Sequence, residues 1–299
     1  MNKLLSALFL SFSLTVAVAA PVHLESPVGK ITVDSSVNKI AVLDFAALDT
    51  LSTLDGGNKV IGLPLTATVP QQLSSFKNNK MIDFGTVKEV NLEKLATAKP
   101  QLVIIGGRLA NQGKTIGEIA PTYQFSLDLN NYWQSFKQQT MNMASLTGKT
   151  QLAEQKLSAL EHKMTQTANK AKGKTALIIM VNNGKMAAFG SQSRFGIIHD
   201  NLGFTPIDAS IKVGTHGQGI SHEFIAEKNP DYLFVIDRAA AVSDKTGQAQ
   251  QTLDNDVIKK SKAFKNGNIV YLNARNWYLM NGGLTAMGEM IDEVAAAVK

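Results

Sequence analysis

The sequence predicts an α/β fold made of two similar α/β lobes, joined by a single long helix, with a ligand cleft between the lobes. Three observations lead to this prediction: a repeated helix–proline–strand motif, a long amphipathic pattern between the two copies, and continuous apolar segments typical of buried parallel strands. The chain has 299 residues, of which 44% are hydrophobic and 18% are charged. It is therefore long enough for two lobes of ordinary domain size.

The repeated motif has the sequence NLEKLATAKPQLVIIGGR at 91–108 and SHEFIAEKNPDYLFVIDR at 221–238. In each copy an Asn or Ser can cap a short helix that ends before a proline, and an apolar strand follows. Arg108 and Arg238 stand just past the two strands and are 130 positions apart (238 − 108). Because the same motif occurs twice in one chain, the sequence predicts two lobes with the same local architecture.

Between the two copies, apolar residues from Ala153 to Ala171 recur at intervals of three and four. This spacing predicts one face of an amphipathic helix, which Gly173 ends. At the amino terminus, Lys3, the apolar run from Leu4 and a small-residue end are typical of a signal peptide. The predicted organisation is a signal peptide at 1–19, an N-terminal α/β lobe at 20–147, a connecting helix at 148–173 and a C-terminal α/β lobe at 174–299.

The chain contains no cysteine. This absence excludes a disulfide scaffold, thiolate metal ligands, a thiol nucleophile and a lipid-anchored cysteine after the signal. We therefore expect a soluble exported protein, located in the periplasm of a two-membrane bacterium. The formal net charge of +6 comes from scattered lysines, so it is compatible with a solvated basic surface and with attraction for an anionic ligand, and it does not indicate a nucleic-acid partner.

Three arginines are candidate ligand-binding residues. Arg108 and Arg238 follow strands, and ligands of open α/β sheets bind beyond the carboxyl ends of strands. Arg194 lies in the Gly/Ser-rich turn GSQSRFG ahead of a predicted helix. Each arginine could instead form an ordinary surface ion pair, but three converging guanidiniums would favour an anion with several oxygens.

A histidine and two aromatic residues are further candidates. His216 lies in the glycine-rich loop VGTHGQG, where the backbone can approach a ligand closely. Trp277 and Tyr278 lie in the predicted loop NARNWYLMNGG and could form a binding wall or plug the core. No histidine belongs to a zinc-binding motif, and no catalytic motif is present, so the sequence favours a binding protein over an enzyme.

Together these features resemble class III periplasmic substrate-binding proteins, which serve ATP-driven importers of ferric siderophores, haem and cobalamin. The segments GGRL, SRFG, VGTHG, EKNPDYLFVIDR and WYL are similar to those of the ferric catecholate siderophore binders of the enterochelin-uptake type. The resemblance implies a monomeric periplasmic receptor with no intrinsic cofactor, whose ligand is an Fe(III)–catecholate siderophore. It also implies delivery of that ligand to the permease dimer of an ABC importer in the inner membrane.

The same resemblance assigns roles to individual residues. The three arginines would face the anionic complex, and His216 and Tyr278 would ligate iron. Whether Tyr278 or its neighbour Trp277 faces the ligand stays open. Glu93 and Glu223, at the starts of the two repeated helices, would meet arginines on the permease subunits. Their alternative role is to stabilise the amino ends of those helices.

Other functions stay open from the sequence alone. Within the same class, haem or cobalamin could be the ligand, because Tyr and His also bind haem iron and arginines could bind propionates. From a different class, the chain could be an exported α/β enzyme. A divalent-metal receptor is a further alternative, which the isolated histidines disfavour.

Overall fold

The computed structural model describes residues 20–211, 214, 216–243 and 245–298. The predicted signal peptide at 1–19 lies outside the described residues. Two large sheets, one formed by strands before and one by strands after a single long helix in the chain, are each accompanied by helices, which confirms the predicted two-lobed α/β fold. In the described part of the chain, no helix combines the length and the apolar character needed to cross a bilayer.

The first lobe contains a small hairpin and a parallel sheet. Its strands are β1 (Val22–Ser26), β2 (Gly29–Val33), β3 (Ile40–Val42), β4 (Val60–Leu63), β5 (Ile82–Asp83), β6 (Leu102–Gly106) and β7 (Thr122–Phe125). β1 and β2 pair in an antiparallel hairpin, and the other five form a parallel sheet in the order β5-β4-β3-β6-β7. The central strands β3 and β6 are buried along their whole length, as their apolar sequences predict.

The second lobe contains a mixed sheet. Its strands are β8 (Thr175–Asn182), β9 (Lys185–Phe189), β10 (Thr205–Pro206), β11 (Gln218–Ile220), β12 (Tyr232–Asp237) and β13 (Ile269–Tyr271). The order is β11-β9-β8-β12-β13, with β10 beside β8, and β9 runs antiparallel to both of its neighbours. The hairpin of β8 and β9 has no counterpart in the first sheet, so the lobes share a repeated unit but differ around it.

Thirteen α-helices lie in the described residues. They are α1 (Phe45–Thr53), α2 (Leu92–Ala98), α3 (Gly113–Gly117), α4 (Tyr132–Thr147), α5 (Thr150–Ala171), α6 (Ile197–Asp200), α7 (His222–Lys228), α8 (Arg238–Val242), α9 (Gln248–Leu253), α10 (Asp256–Lys259), α11 (Lys262–Lys265), α12 (Ala274–Tyr278) and α13 (Leu284–Ala297). The helix predicted after the turn GSQSRFG is the single helical turn α6, and the backbone turns further on, at Gly203, with φ +82°.

The repeated motif folds into the same helix–strand unit in both lobes. The side chains of Asn91 and Ser221 cap α2 and α7, each accepting a hydrogen bond from the backbone amide three residues on. Both helices end at a left-handed residue, Lys99 at φ 48° and Asn229 at φ 49°, immediately before the proline. The matching caps, bends and strands explain why the cap, the proline and the strand lie at the same intervals in both copies.

The long helix α5 lies within the predicted connecting range 148–173 and packs against α4 and α13. The exact lobe boundaries at 147 and 174 stay predictions. A second connection comes from α13, whose amino end packs against α1 of the first lobe. The chain therefore returns to the first lobe at its carboxyl end.

The contact between α1 and α13 is a buried polar joint. The Asp49 carboxylate accepts hydrogen bonds from the backbone amides of Thr285 at 2.8 Å and Ala286 at 3.1 Å. These bonds satisfy free amides at the amino end of α13, where a negative charge is favourable. A β-carbon at Gly283 would lie 2.5 Å from the Asp49 Oδ2 atom, so the close approach of the two helices requires glycine here.

Candidate functional site

A cleft of about 1000 Å³ is lined by residues from both lobes. Its walls come from segments that follow the carboxyl ends of β6, β7 and β12, from the end of β8, and from α12. This is the edge at which open α/β sheets bind ligands. A smaller cavity of about 490 Å³, which has no arginine in its lining, involves Phe264 and Tyr271 and lies away from this edge.

The cleft brings the three predicted arginines together. Arg108 lies in a 3₁₀ helix (Gly107–Gln112) directly after β6, and Arg238 is the first residue of α8 directly after β12. The Asp237 side chain caps α8 and thereby fixes the backbone at Arg238. Arg194 reaches the same cleft from the turn before α6.

All three arginines converge on Tyr278. The backbone carbonyl of Tyr278 accepts hydrogen bonds from Arg108 Nη2 at 2.8 Å and from Arg194 Nη2 at 2.9 Å. Its hydroxyl accepts a hydrogen bond from Arg238 Nε at 3.2 Å. The three guanidinium carbons lie 4.5–5.7 Å from the centre of its ring, within the range of cation–π attraction.

This arrangement changes the acid–base properties of the cluster. Burial alone would raise the pKa of the Tyr278 hydroxyl, but the hydrogen bond from Arg238 and the charges of the three arginines outweigh burial and hold the pKa below its ordinary value. Burial and the charge of Arg108 lower the pKa of Arg194, which stays a cation. Burial raises the pKa of Asp44, whose carboxyl lies at the cleft near Arg108.

His216 also lines the cleft and is exposed. The next residue, Gly217, has φ +72°, and a β-carbon there would lie 2.7 Å from the backbone oxygen of Ala188. Glycine is therefore required for the loop to turn against β9 and present His216. Within the described residues, no group of three or more His, Cys, Asp or Glu side chains could hold a metal ion.

Trp277 does not line the cleft. Its side chain is fully buried, its ring centre lies 6.5 Å from that of Phe195, and its Nε1 donates a hydrogen bond to Glu293 at 2.9 Å. The predicted loop is in fact the short helix α12, which Asn273 caps. Because neighbouring residues on a helix point in different directions, α12 turns Tyr278 to the cleft and Trp277 to the core. The structure therefore corrects the prediction of Trp277 as a ligand-binding residue.

Comparisons with known proteins agree with this architecture. Residues 40–276 match the family described as periplasmic binding protein. This chain belongs to that family. A sequence relative, the petrobactin-binding protein YclQ of Bacillus subtilis (strain 168), is 40% identical over 264 residues, which cover 88% of this chain and 83% of YclQ. The crystal structure of YclQ matches with a TM-score of 0.89 at 37% identity, covering 94% of this chain and 99% of that chain.

Two further solved structures of family members are similar. PiuA from Streptococcus pneumoniae, described as an iron uptake ABC transporter substrate-binding protein, has a TM-score of 0.87 at 34% identity and covers 92% of this chain and 98% of that chain. VctP from Vibrio cholerae, described as a periplasmic catecholate-siderophore binding protein, has a TM-score of 0.87 at 29% identity and covers 93% and 100%. These relatives are binding proteins that share the two-lobed fold.

Several cleft residues were not predicted from the sequence. Asn182 accepts a hydrogen bond from Arg238 Nη1 at 3.2 Å, and Asn281 donates one to the backbone oxygen of Arg194 at 2.6 Å. Lys88 and Lys185 line the cleft as well. The dipeptide Asn-Gly between Asn182 and Lys185 is a signal for a tight hairpin turn and could have placed both residues at the end of a strand.

The two predicted docking residues lie outside the cleft. Glu93 and Glu223 are exposed, in the first turns of α2 and α7. Because these helices run antiparallel to the strands they precede, their amino ends lie at the cleft edge of each sheet. The two glutamates therefore occupy equivalent positions on the two lobes.

Tyr278 should be the first tyrosine to ionise when the pH of the native protein is raised. Its pKa is lowered by the arginines, whereas burial raises the pKa of Tyr123, Tyr132 and Tyr271. Tyr278→Phe should abolish the earliest step in the tyrosinate absorbance titration, and Arg238→Gln should move that step to higher pH. Tyr271→Phe is the matched control. An early step that persists in Tyr278→Phe would contradict the proposed electrostatics of the cluster.

Proposed function

We propose that this chain is a periplasmic receptor that captures a ferric catecholate siderophore and delivers it to an ABC importer for iron uptake. The observation that carries the proposal is the convergence of Arg108, Arg194 and Arg238 on one cleft between the lobes. A ferric catecholate complex is a compact anion with many oxygen atoms at its surface. Charge-assisted hydrogen bonds from guanidiniums suit such an anion.

The relatives support this choice of ligand over the alternatives. Their descriptions refer to petrobactin, to iron uptake and to catecholate siderophores, and the family consists of binding proteins. These descriptions favour a siderophore over haem or cobalamin and favour binding over catalysis. In this proposal residues 1–19 direct export, and the mature chain acts as a soluble monomer without an intrinsic cofactor.

The arginine cluster predicts a large loss of affinity on substitution. Arg108→Ala, Arg194→Ala and Arg238→Ala should each weaken binding of a ferric catecholate by roughly tenfold or more, because a charge-assisted hydrogen bond contributes about 1.5–3 kcal/mol. Arg275→Ala is the matched control, since Arg275 lies outside the cleft lining. Titration monitored by tryptophan fluorescence measures affinity, and thermal unfolding of each variant checks folding. Unchanged affinity in all three cleft variants would overturn the proposed site.

Two cleft residues suit direct contact with iron. Fe(III) is a hard ion that prefers oxygen donors and accepts imidazole. A bis-catecholate leaves two coordination positions of the iron open, and a tyrosinate and a histidine could fill them. The lowered pKa of the Tyr278 hydroxyl favours the tyrosinate, and His216 is exposed at the same cleft. These observations support metal ligation by His216 and Tyr278 in the complex.

Ligation of iron predicts a difference between two ligand types. His216→Ala and Tyr278→Phe should weaken the complex with a ferric bis-catecholate much more than the complex with a ferric tris-catecholate, whose iron is already fully coordinated. The visible spectrum of the bis-catecholate complex should also shift on binding, because protein donors replace water. If the spectrum does not change and both variants bind the bis-catecholate normally, these residues only line the cleft.

Glu93 and Glu223 are proposed to dock the receptor on the permease dimer. Both are exposed at equivalent lobe positions, and the class is expected to place one glutamate per lobe against arginines of the permease. Glu93→Arg or Glu223→Arg should impair siderophore-dependent iron uptake while ligand affinity stays near wild type, because like charges then repel across the interface. Glu154→Arg, an exposed change in α5 outside the cleft lining, serves as the control. Lost affinity in the purified variants would place the glutamates in ligand binding.

A further inference from the structure

Two lysines line the cleft in addition to the arginine cluster, and the proposed binding mechanism does not use them. Lys88 lies in the loop after β5 in the first lobe, and Lys185 is the first residue of β9 in the second lobe. Both side chains are exposed, whereas the three arginines are partly buried. The cleft therefore has an inner set of arginines and an outer pair of lysines, one from each lobe.

The backbone holds both lysines in place. The Lys88 carbonyl accepts a hydrogen bond from Gln112 Nε2 at 2.7 Å, and its amide donates one to Thr86 Oγ1 at 3.2 Å. Lys185 follows the tight turn of the β8–β9 hairpin and pairs with Asn182 in the ladder. The fold thus fixes the backbone position of each lysine and leaves each ammonium group in solvent.

The described residues provide no ion-pair partner for either lysine. Seven lysines form ion pairs within the described residues, and neither Lys88 nor Lys185 is among them. The one acidic residue in the described cleft lining is Asp44, whose pKa is raised by burial and which lies near Arg108. In the described part of the cleft lining, the two ammonium groups therefore have no carboxylate partner, and Glu89, the exposed residue next to Lys88, does not line the cleft.

Exposed and buried charges contribute to binding in different ways. An exposed ammonium group in high-dielectric solvent adds little to the stability of a complex. Its field still acts over about a Debye length, roughly 10 Å at moderate salt, and raises the rate at which an oppositely charged ligand arrives. Charges at the rim of a binding surface therefore change the association rate more than the dissociation rate.

We infer that Lys88 and Lys185 form a cationic rim that accelerates capture of an anionic ferric siderophore and contributes little to its retention. The inference rests on the proposed function, since it assigns a kinetic role to residues at the same cleft. The arginines hold the ligand in a partly buried environment, and the lysines gather it from solution. Such a division would serve a receptor that must collect a scarce ligand.

The test compares binding kinetics of the full mature protein by stopped-flow fluorescence. The ligands are ferric complexes of a hexadentate tris-catecholamide, which is triply negative, and of a tetradentate bis-catecholamide, which is singly negative. The rim variant is Lys88→Gln with Lys185→Gln. The control variant is Lys170→Gln with Lys265→Gln, which removes the same net charge from exposed lysines outside the cleft lining, near the amino ends of β8 and β13.

At low ionic strength the rim variant should bind the triply negative complex roughly three- to tenfold more slowly than wild type, with a dissociation rate within about twofold. The difference should shrink at high salt and should be smaller for the singly negative complex. The control variant should associate at nearly the wild-type rate.

Three results would overturn the inference. A faster dissociation rate with unchanged association would make the lysines direct ligand contacts. Equal slowing in the control variant would assign the effect to net charge alone. Unchanged kinetics in the rim variant would remove any role in capture. Failure of the wild-type protein to bind either complex is a different result, because it would overturn the proposed function itself.

Discussion

The mutual repulsion of three arginines is the constraint on which the cleft depends. In a partly buried site of reduced dielectric, like charges cannot lie close together unless acceptors surround them. Tyr278 supplies these acceptors: its carbonyl binds Arg108 and Arg194, its hydroxyl binds Arg238, and its ring faces all three. Because the carbonyl and the ring are neutral, they hold the guanidiniums together without cancelling their positive charge.

The convergence in turn depends on how the lobes are joined. Arg108 belongs to the first lobe, whereas Arg194, Arg238 and Tyr278 belong to the second, so the hydrogen bond from Arg108 crosses between them. Helix α5 provides the first connection between the lobes. The Asp49 joint with α13 adds a buried second connection beside the cleft, and Gly283 allows the two helices to approach closely.

The asymmetry between the lobes also shapes the site. Both lobes contain the repeated helix–proline–strand unit, which places one arginine and one glutamate in equivalent positions. Only the second lobe adds the hairpin of β8 and β9, and this hairpin brings Asn182 against Arg238 and Lys185 to the mouth of the cleft. Duplication therefore supplies the symmetric part of the site, and the hairpin supplies residues that have no counterpart in the first lobe.

The sequence by itself determined the two-lobed plan, because capped helices, prolines and apolar strands are local signals that one window of the chain contains. It also indicated the three arginines, since two of them follow strands in the repeated unit. Only the tertiary structure decided that Trp277 is buried while Tyr278 faces the cleft, and that Lys88 and Lys185 share its mouth. These outcomes depend on how a short helix is rotated against a core and on which loops meet across the lobes, and neither is encoded in local sequence periodicity.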